Sequence, residues 1–159
     1  MKKLLLSFAL AICIVTVSTA QDYNTGIGFR GGPFLGLTVK HFVGDKAALE
    51  GLLTTRWHGL EVTGLYEIHN PVFDVNRLKW YYGGGAHLGF YNGDNTNWGD
   101  RGKDYLVVGI DGIIGLEYSF QEIPVNLSLD WKPSFNFVGY SHFFPDGAAL
   151  SIRYIFWNR

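Results

Sequence analysis

The sequence predicts an all-β fold, an eight-stranded antiparallel up-and-down β-barrel, on three observations. After residue 20, apolar and polar residues alternate with a period of two through most of the chain. This alternation is typical of β-strands, whose successive side chains point to opposite faces. Aromatic residues are abundant, with 12 Phe, 9 Tyr and 5 Trp, and they favour strands. The 21 Gly, beside only 5 Pro, indicate turns and close backbone approach.

The first 20 residues differ from the rest and predict a secretory signal peptide. Lys2 and Lys3 give a positive start, residues 4–17 form a mostly apolar run, and the three residues that end at Ala20 are small. This layout is typical of a signal that is cleaved after Ala20. A membrane anchor is the alternative, but the run is shorter than the roughly 20 apolar residues of a spanning helix. The predicted organisation is a cleaved segment, 1–20, and one barrel domain, 21–159.

The composition of the mature chain argues against several kinds of site. Loss of Lys2 and Lys3 leaves 11 of the 13 Lys and Arg residues beside 14 Asp and Glu, a net charge near −3. Nucleic acid is therefore not an expected partner. The only cysteine, Cys13, leaves with the predicted signal peptide. Disulfides, thiol nucleophiles and thiolate metal sites are therefore not expected in the mature protein.

Four of the eight predicted strands come early in the mature chain and alternate less strictly. Leucine, valine, isoleucine and aromatic residues take alternate positions, and glycine, threonine or charged residues stand between them. The four segments are 26–30, 35–40, 49–57 and 60–68.

The other four predicted strands alternate strongly. They are 78–90, 106–121, 125–138 and 150–156. In the third, apolar residues from Val125 to Phe137 stand at odd positions, while Asn126, Ser128 and Asp130 stand between them. Eight is an even number of strands, as bacterial single-chain membrane barrels have.

The size of the two faces predicts which one is inside. An eight-stranded barrel encloses a space just wide enough for side chains to fill it. The apolar face carries so many large aromatic residues that it would overfill this space, whereas glycine beside long charged residues would fit. We therefore expect a transmembrane barrel with apolar residues towards lipid and a side-chain-filled lumen. The alternative is a soluble lipocalin-like binder with its apolar face inside.

The predicted lumen carries balanced charges, which we expect to pair because an unpaired charge is costly in a narrow interior. A static plug of ion pairs is favoured over an ion path. The expected lumenal charge network consists of Arg30, Lys40, Glu50, Arg56, Glu61, Glu67, Lys79, Asp111, Glu117, Asp130, Lys132 and Arg153.

The lengths of the connections predict the topology. With a periplasmic N-terminus, 31–33 and 57–59 are tight outer turns, 92–103 and 139–147 are outer loops, and both termini are periplasmic. The predicted periplasmic connections are 42–46, 69–76 and 121–124. Aromatic residues at the membrane interfaces would form girdles, for which the candidates are Trp57, Tyr66, Trp80, Tyr118, Trp131 and Tyr154.

With its signal peptide, eight alternating strands, lumenal charges and aromatic last strand, the chain resembles the small outer-membrane β-barrel proteins of the OmpA and OmpX type. The resemblance covers residues 22–157. It implies the outer membrane of a Gram-negative-type bacterium, with outer-membrane lipid and lipopolysaccharide as surroundings. Such barrels usually end on an aromatic residue, whereas here Trp157 is followed by Asn158 and Arg159.

No catalytic residue, cofactor or metal is expected. Ser141, His142 and Asp146 are near one another in a predicted outer loop, but a mobile loop holds a catalytic triad poorly. The acidic loop 92–103 lacks the closing glutamate of a calcium loop, and turn chemistry explains it better. The five histidines show no metal-ligand spacing on a shared face, and for His58 and His87 hydrogen-bonded packing is favoured.

The sequence therefore favours a non-enzymatic role. The leading hypothesis is a structural or interaction protein of the envelope, for example a subunit of a larger outer-membrane complex with an outer-membrane protein as partner. Gly84 and Gly112, on the predicted lipid face, hint at a close-packed partner, with local curvature of the wall as the alternative. A rim-located enzyme acting on lipid A or phospholipid, with Ser141 and His142, is the second hypothesis. A conducting pore is expected least.

Overall fold

A computed structural model describes residues 23–72 and 74–156. The predicted signal peptide, 1–20, and the last three residues, 157–159, lie outside the described residues. The strands are β1 (Thr25–Gly31), β2 (Leu35–Phe42), β3 (Ala47–Arg56), β4 (Gly59–Pro71), β5 (Leu78–Asn92), β6 (Asp104–Ser119), β7 (Val125–Trp131), β8 (Ser134–Val138), β9 (His142–Phe144) and β10 (Ala148–Phe156).

These strands form one closed, antiparallel, up-and-down barrel with eight strand positions around its wall. Strands β1 to β6 pair in chain order, β6 pairs with both β7 and β8, and β10 pairs with β7 and with β1. β7 and β8 together occupy one strand position. β9 extends the position of β10, because it pairs with β8. The predicted all-β, eight-stranded, antiparallel barrel is therefore confirmed.

Helical structure is almost absent from the part of the chain that the structure describes. Gly93–Asn95 forms a single 3-10 turn at the start of the longest loop. No helix among residues 23–72 and 74–156 is long and apolar enough to cross a membrane.

The strand 125–138, predicted as one element, is interrupted between β7 and β8. Proline has no backbone N–H and is poorly tolerated inside a sheet. Pro133 stands in the gap, its carbonyl accepts a hydrogen bond from Gly112 N at 3.0 Å, and the register against β6 shifts farther along β8. The predicted outer loop 139–147 needs a correction as well, because β9 lies within it.

The side chains divide sharply between the two faces of the wall. Outward positions carry large apolar residues on all the long strands, and Phe29 is 68% exposed and Leu129 60% exposed. Inward positions carry charged and polar residues, and Lys40 and Arg153 are completely buried. The distribution is the reverse of that in a water-soluble barrel, whose apolar residues fill the interior.

Inward-facing glycines make room for their large neighbours. A Cβ atom at Gly109 would collide with the His87 ring, and one at Gly115 would lie 2.8 Å from Cζ of Tyr81. On the outer face, by contrast, a Cβ at Gly64 would meet no atom within 4 Å. The inward glycines are therefore required by packing inside the bore, and Gly64 is not.

The bore also contains an apolar layer, which the expected lumenal charge network does not include. Leu52, Leu65, Tyr81 and Ile113 form a buried cluster between the polar groups. A second cluster, of Tyr23, Phe42, Ala48 and Ile155, closes the bore at the end where the described chain begins and ends. We call this the termini end, and the opposite end, with the loops 93–103 and 139–141, the loop end.

Candidate functional site

The interior of the barrel is the candidate site, because it brings together the buried charged residues of the described chain. Ten of the twelve predicted lumenal charges are buried inside the bore. Arg56 and Lys79 are half-buried, one at each end. The buried charges form three groups along the bore, which we call the lower cluster, the middle pair and the upper cluster.

The lower cluster, near the termini end, centres on the ammonium group of Lys40. Lys40 Nζ lies 2.8 Å from Glu67, 3.4 Å from Glu50 and 3.5 Å from Glu117. His69 adds contacts of 3.1 Å to Glu67 and 3.2 Å to Glu117. Because β2, β3 and β6 each supply one of these groups and β4 supplies two, the cluster ties distant strands together across the bore.

Arg153, on β10, completes the lower cluster. Its guanidinium forms an ion pair with Glu50 and donates hydrogen bonds to Thr38 at 3.0 Å, Asn126 at 3.2 Å and Ser128 at 2.8 Å. This charge is buried but amply hydrogen-bonded, which is the condition under which a buried ion is tolerated.

The middle pair consists of Arg30 on β1 and Asp130 on β7. Both terminal nitrogens of the guanidinium donate to the carboxylate, one of them at 2.9 Å, in the bidentate geometry that arginine favours. The Tyr81 hydroxyl donates to the same carboxylate at 2.9 Å. Arg30 and Asp130 are 100 positions apart in sequence.

The upper cluster, nearer the loop end, holds Glu61, His87, Asp111 and Lys132. Lys132 Nζ lies 2.5 Å from Asp111 and 3.6 Å from Glu61. His87 Nδ1 lies 2.7 Å from the other oxygen of Asp111, and His87 Nε2 lies 2.9 Å from Asn136 Oδ1. The hydroxyl of Tyr91 donates to Glu61 at 2.9 Å.

Three groups of the upper cluster are spaced as metal ligands could be. Glu61, His87 and Asp111 offer ligand atoms that lie within 4.8 Å of one another. This grouping could not be predicted from the sequence, because β4, β5 and β6 bring the residues together only through the register of the sheet. Lys132 already lies against both carboxylates, so the geometry favours a hydrogen-bonded ion cluster over a metal centre.

Aromatic side chains cap the bore at the loop end. Arg56 lies 4.0 Å from the ring centre of Trp57, 4.8 Å from Phe34 and 5.7 Å from Phe144, and its guanidinium pairs with Asp146 at 2.5 Å. Beneath these rings lies a cavity of about 10 Å³, whose lining includes Glu61 and Asn136. Such a volume has room for about one water molecule.

The termini end is closed by a series of rings in contact with one another. Tyr23 packs edge-on against Phe42 at 5.1 Å, Phe42 lies 4.8 Å from His69, and His69 stacks on Tyr81 at 4.8 Å. Lys79, half-buried at this end, lies 5.5 Å from the ring centre of Phe42. The bore is therefore closed at both ends as well as filled between them.

Five of the six predicted girdle residues project outwards from the wall. They are Tyr66, Trp80, Tyr118, Trp131 and Tyr154. Trp57, the sixth, does not project outwards. Trp57 and His58 form the two-residue β3–β4 turn, both with positive φ (50° and 58°), as a type I′ turn requires. Because the strand alternation ends at this turn, the Trp57 ring lies over the mouth of the bore, near Tyr91 and Phe144.

The three loop residues with triad chemistry have separate partners. The Ser141 hydroxyl donates to the carbonyl of Phe137 at 3.5 Å, the His142 ring stacks near Tyr140, and the Asp146 carboxylate binds Arg56. In the loop after β5, Asp94 Oδ1 accepts from Gly102 N at 3.0 Å, and Asp100 pairs with Lys103 at 2.9 Å. These acidic groups serve the turns of the loop.

No protein-family model matches this chain, and no curated protein is similar enough to count as a relative.

We expect Asp146→Asn to loosen the mouth without unfolding the barrel. The hydrogen bond from Arg56 holds the pKa of the Asp146 carboxyl below its usual range. The pair therefore stabilises the fold above the ordinary carboxylate pKa, and this contribution is lost as the pH falls through the lowered value. Because Asp146 is partly exposed, the loss at neutral pH is at most about 1 kcal/mol.

Thermal unfolding of the two proteins at neutral and acid pH measures this effect. The difference in unfolding temperature should be present at neutral pH and disappear in acid. Asp100→Asn, which removes an ion pair with exposed Lys103, is the matched control and should change little at either pH. An equal effect of both substitutions would contradict a role for Asp146 in closing the mouth.

Proposed function

We propose that this protein is an integral outer-membrane β-barrel with a closed bore, and that its role in the envelope is structural or depends on contacts with other molecules. The observation that carries the proposal is the reversal of faces, with apolar side chains covering the outer wall and charges filling the interior. A closed barrel satisfies its backbone hydrogen bonds within the wall, as a lipid environment demands. Outer-membrane lipid and lipopolysaccharide would surround the apolar wall.

The filled bore supports a non-conducting role. Ion pairs span the interior at three levels, and aromatic rings cover both ends. The same packing argues against a lipocalin-like binder, which needs an apolar interior with room for a ligand. The rim-enzyme hypothesis gains no support either, because the hydrogen bonds of Ser141 and Asp146 are directed to Phe137 and Arg56.

A smooth area of the outer wall adds support for a partner within the membrane. Outward-facing Gly51 pairs with Gly64, Gly64 pairs with Ala86, and Gly84 pairs with Gly112 across β3 to β6. Small residues let neighbouring surfaces in a membrane approach closely. Gly64→Leu would place its side chain in open space, so it should leave the barrel folded and remove any partner that packs there.

Extraction in a mild detergent is the experiment that tests the proposal. The tagged protein should fractionate with outer membranes and require detergent for extraction. After reconstitution into planar bilayers, it should produce no discrete conductance steps. A defined protein that co-purifies in fixed ratio, and is lost in Gly64→Leu, would identify a subunit of a complex. Recovery in the soluble fraction without detergent, or stable open channels, would overturn the proposal.

The orientation can be tested separately because the predicted mature chain contains no cysteine. We propose that both termini are periplasmic and that the loop end faces outwards. Asn97→Cys at the loop end should then react with a membrane-impermeant maleimide in intact cells, whereas Glu122→Cys at the termini end should react only after lysis. The opposite pattern would reverse the orientation.

A further inference from the structure

The upper cluster holds more carboxylates than permanent cations. Glu61 and Asp111 are both buried, and Lys132 is the one lysine or arginine within ion-pair distance of them in the described chain. Arg30 and Arg56 are already paired, with Asp130 and Asp146 respectively. Without a further cation, the cluster would carry one uncompensated negative charge.

An uncompensated charge is costly at this place. Removing one partner of a buried ion pair is strongly destabilising because the remaining charge has lost its water and gained nothing. The cavity above the cluster, of about 10 Å³, leaves room for only about one water molecule. The compensating proton or positive charge must therefore belong to a group that is already in the cluster.

His87 is the group that can supply this charge. It projects inwards from β5 and lies beside Asp111 on β6, Glu61 on β4 and Asn136 on β8. Lys132, after β7, contacts both carboxylates, and Tyr91, on the same strand as His87, donates to Glu61. Both ring nitrogens lie against acceptor oxygens, Nδ1 against the Asp111 carboxylate and Nε2 against Asn136 Oδ1. A histidine that donates from both nitrogens is an imidazolium cation.

A metal ion would supply the charge less well. Zinc lies about 2 Å from each nitrogen or oxygen ligand. The 2.7 Å between His87 Nδ1 and Asp111 Oδ2 is a hydrogen-bond distance, and the second oxygen of Asp111 is held by Lys132. A metal between His87 and Asp111 would have to move these two side chains apart, and its positive charge would lie beside that of Lys132.

We infer that His87 is a buried imidazolium and that its proton locks the upper part of the bore. The lock rests on the proposed closed bore. When the proton leaves His87, the two negative charges of Glu61 and Asp111 exceed the single positive charge of Lys132. One ring nitrogen of His87 then presents a lone pair to an acceptor oxygen, which is repulsive. The upper bore then loosens beneath its aromatic cap, so the barrel contains a pH-sensitive element that is closed when His87 is protonated.

A charge-compensation cycle tests this inference on the complete barrel in detergent micelles. His87→Gln removes the cation and should lower the unfolding temperature by about 5–10 °C. Glu61→Gln removes the surplus carboxylate and keeps an acceptor for the Tyr91 hydroxyl. In the double variant, Lys132 and Asp111 balance each other, so most of the stability lost in His87→Gln should return.

The cycle separates charge from shape. If His87 acts only through packing or neutral hydrogen bonds, Glu61→Gln will not rescue His87→Gln, and the two losses will add. Such additivity would overturn the inference. His58→Gln, at an exposed turn residue, is the matched control and should leave the unfolding temperature unchanged.

Nitrogen NMR of histidine-labelled protein gives a direct second measurement. Both His87 ring nitrogens should show the shifts of an imidazolium at neutral pH, and wild type should lose stability at alkaline pH where the double variant does not. A neutral ring protonated only on Nδ1, with the Asn136 amide turned to donate to Nε2, would overturn the lock. These readouts require no membrane fractionation or conductance, so failure of the lock and failure of the outer-membrane proposal are distinguishable.

Discussion

Replacing Arg30 with methionine is expected to destabilise the barrel by about 3–5 kcal/mol, the usual result of removing one partner of a buried ion pair. Arg30 and Asp130 have side chains that are 1% and 0% exposed. Methionine can fill much of the space of the arginine stem but cannot donate. Asp130 would keep the hydroxyl of Tyr81 as a donor, and its charge would remain uncompensated. Denaturant unfolding, followed by tryptophan fluorescence in detergent or lipid, measures the loss.

The double variant Arg30→Met with Asp130→Asn distinguishes the lost charge balance from the lost packing. Removing both charges leaves no buried ion, so the double variant should be considerably more stable than Arg30→Met alone. Arg101→Met, in the exposed loop after β5, is the surface control and should change stability by less than about 0.5 kcal/mol. An Arg30→Met protein as stable as this control would mean that Asp130 finds water or another cation inside the bore.

The direction of each lumenal side chain could be predicted from the sequence because the geometry of a strand fixes it. Once Asp130 was assigned to one face, Asn126, Ser128 and Lys132 had to share that face. The partner of Asp130 could not be predicted in the same way. Arg30 reaches it from β1, and the choice among six cations depends on tilt and register around the closed wall.

The apolar layer inside the bore could have been predicted in part from the sequence. Leu52 and Leu65 have the same parity as Glu50 and Glu67, so alternation already placed them inside. The expectation of a wholly polar lumen rested on the glycines and long charged residues at the other inward positions. In the structure, Tyr81 and Ile113 join the two leucines and separate charged levels of the plug.

At Trp57 and Pro133 the structure departs locally from the strand pattern predicted from the sequence, for two different reasons. Pro133 was a visible signal for a break, since a residue without an N–H interrupts a strand pair. Trp57 carried no comparable signal, because a type I′ turn is usually marked by asparagine or glycine and here contains Trp57 and His58. The upper cluster could not be predicted from the sequence, for a third reason. Glu61, His87 and Asp111 come from three strands, and each alone resembles an ordinary lumenal polar residue.

Ile110→Arg is the substitution whose effect depends most directly on what surrounds the wall. Ile110 lies near the middle of β6 and is 56% exposed on the outer face. If lipid covers it, arginine at this depth should cost about 2–4 kcal/mol. If water covers it, exchanging an exposed isoleucine for arginine should change stability by less than about 0.5 kcal/mol. The contacts of Ile110 within the barrel are the same whether lipid or water surrounds it. The size of the stability loss therefore shows which of the two covers the outer face.

The depth dependence supplies the matched control. Leu60 also faces outwards but stands at the start of β4, close to the loop end, where arginine should cost only about 0–1 kcal/mol in a bilayer. Guanidinium unfolding from lipid vesicles should therefore rank Ile110→Arg well below Leu60→Arg in stability. If both substitutions change stability equally and by little, the proposal of a membrane location is overturned. The apolar outer face would then have to be covered by protein. A large loss at Ile110 that disappears towards the rims would give the thickness of the apolar layer around the barrel, since the cost of a charge follows its distance from water.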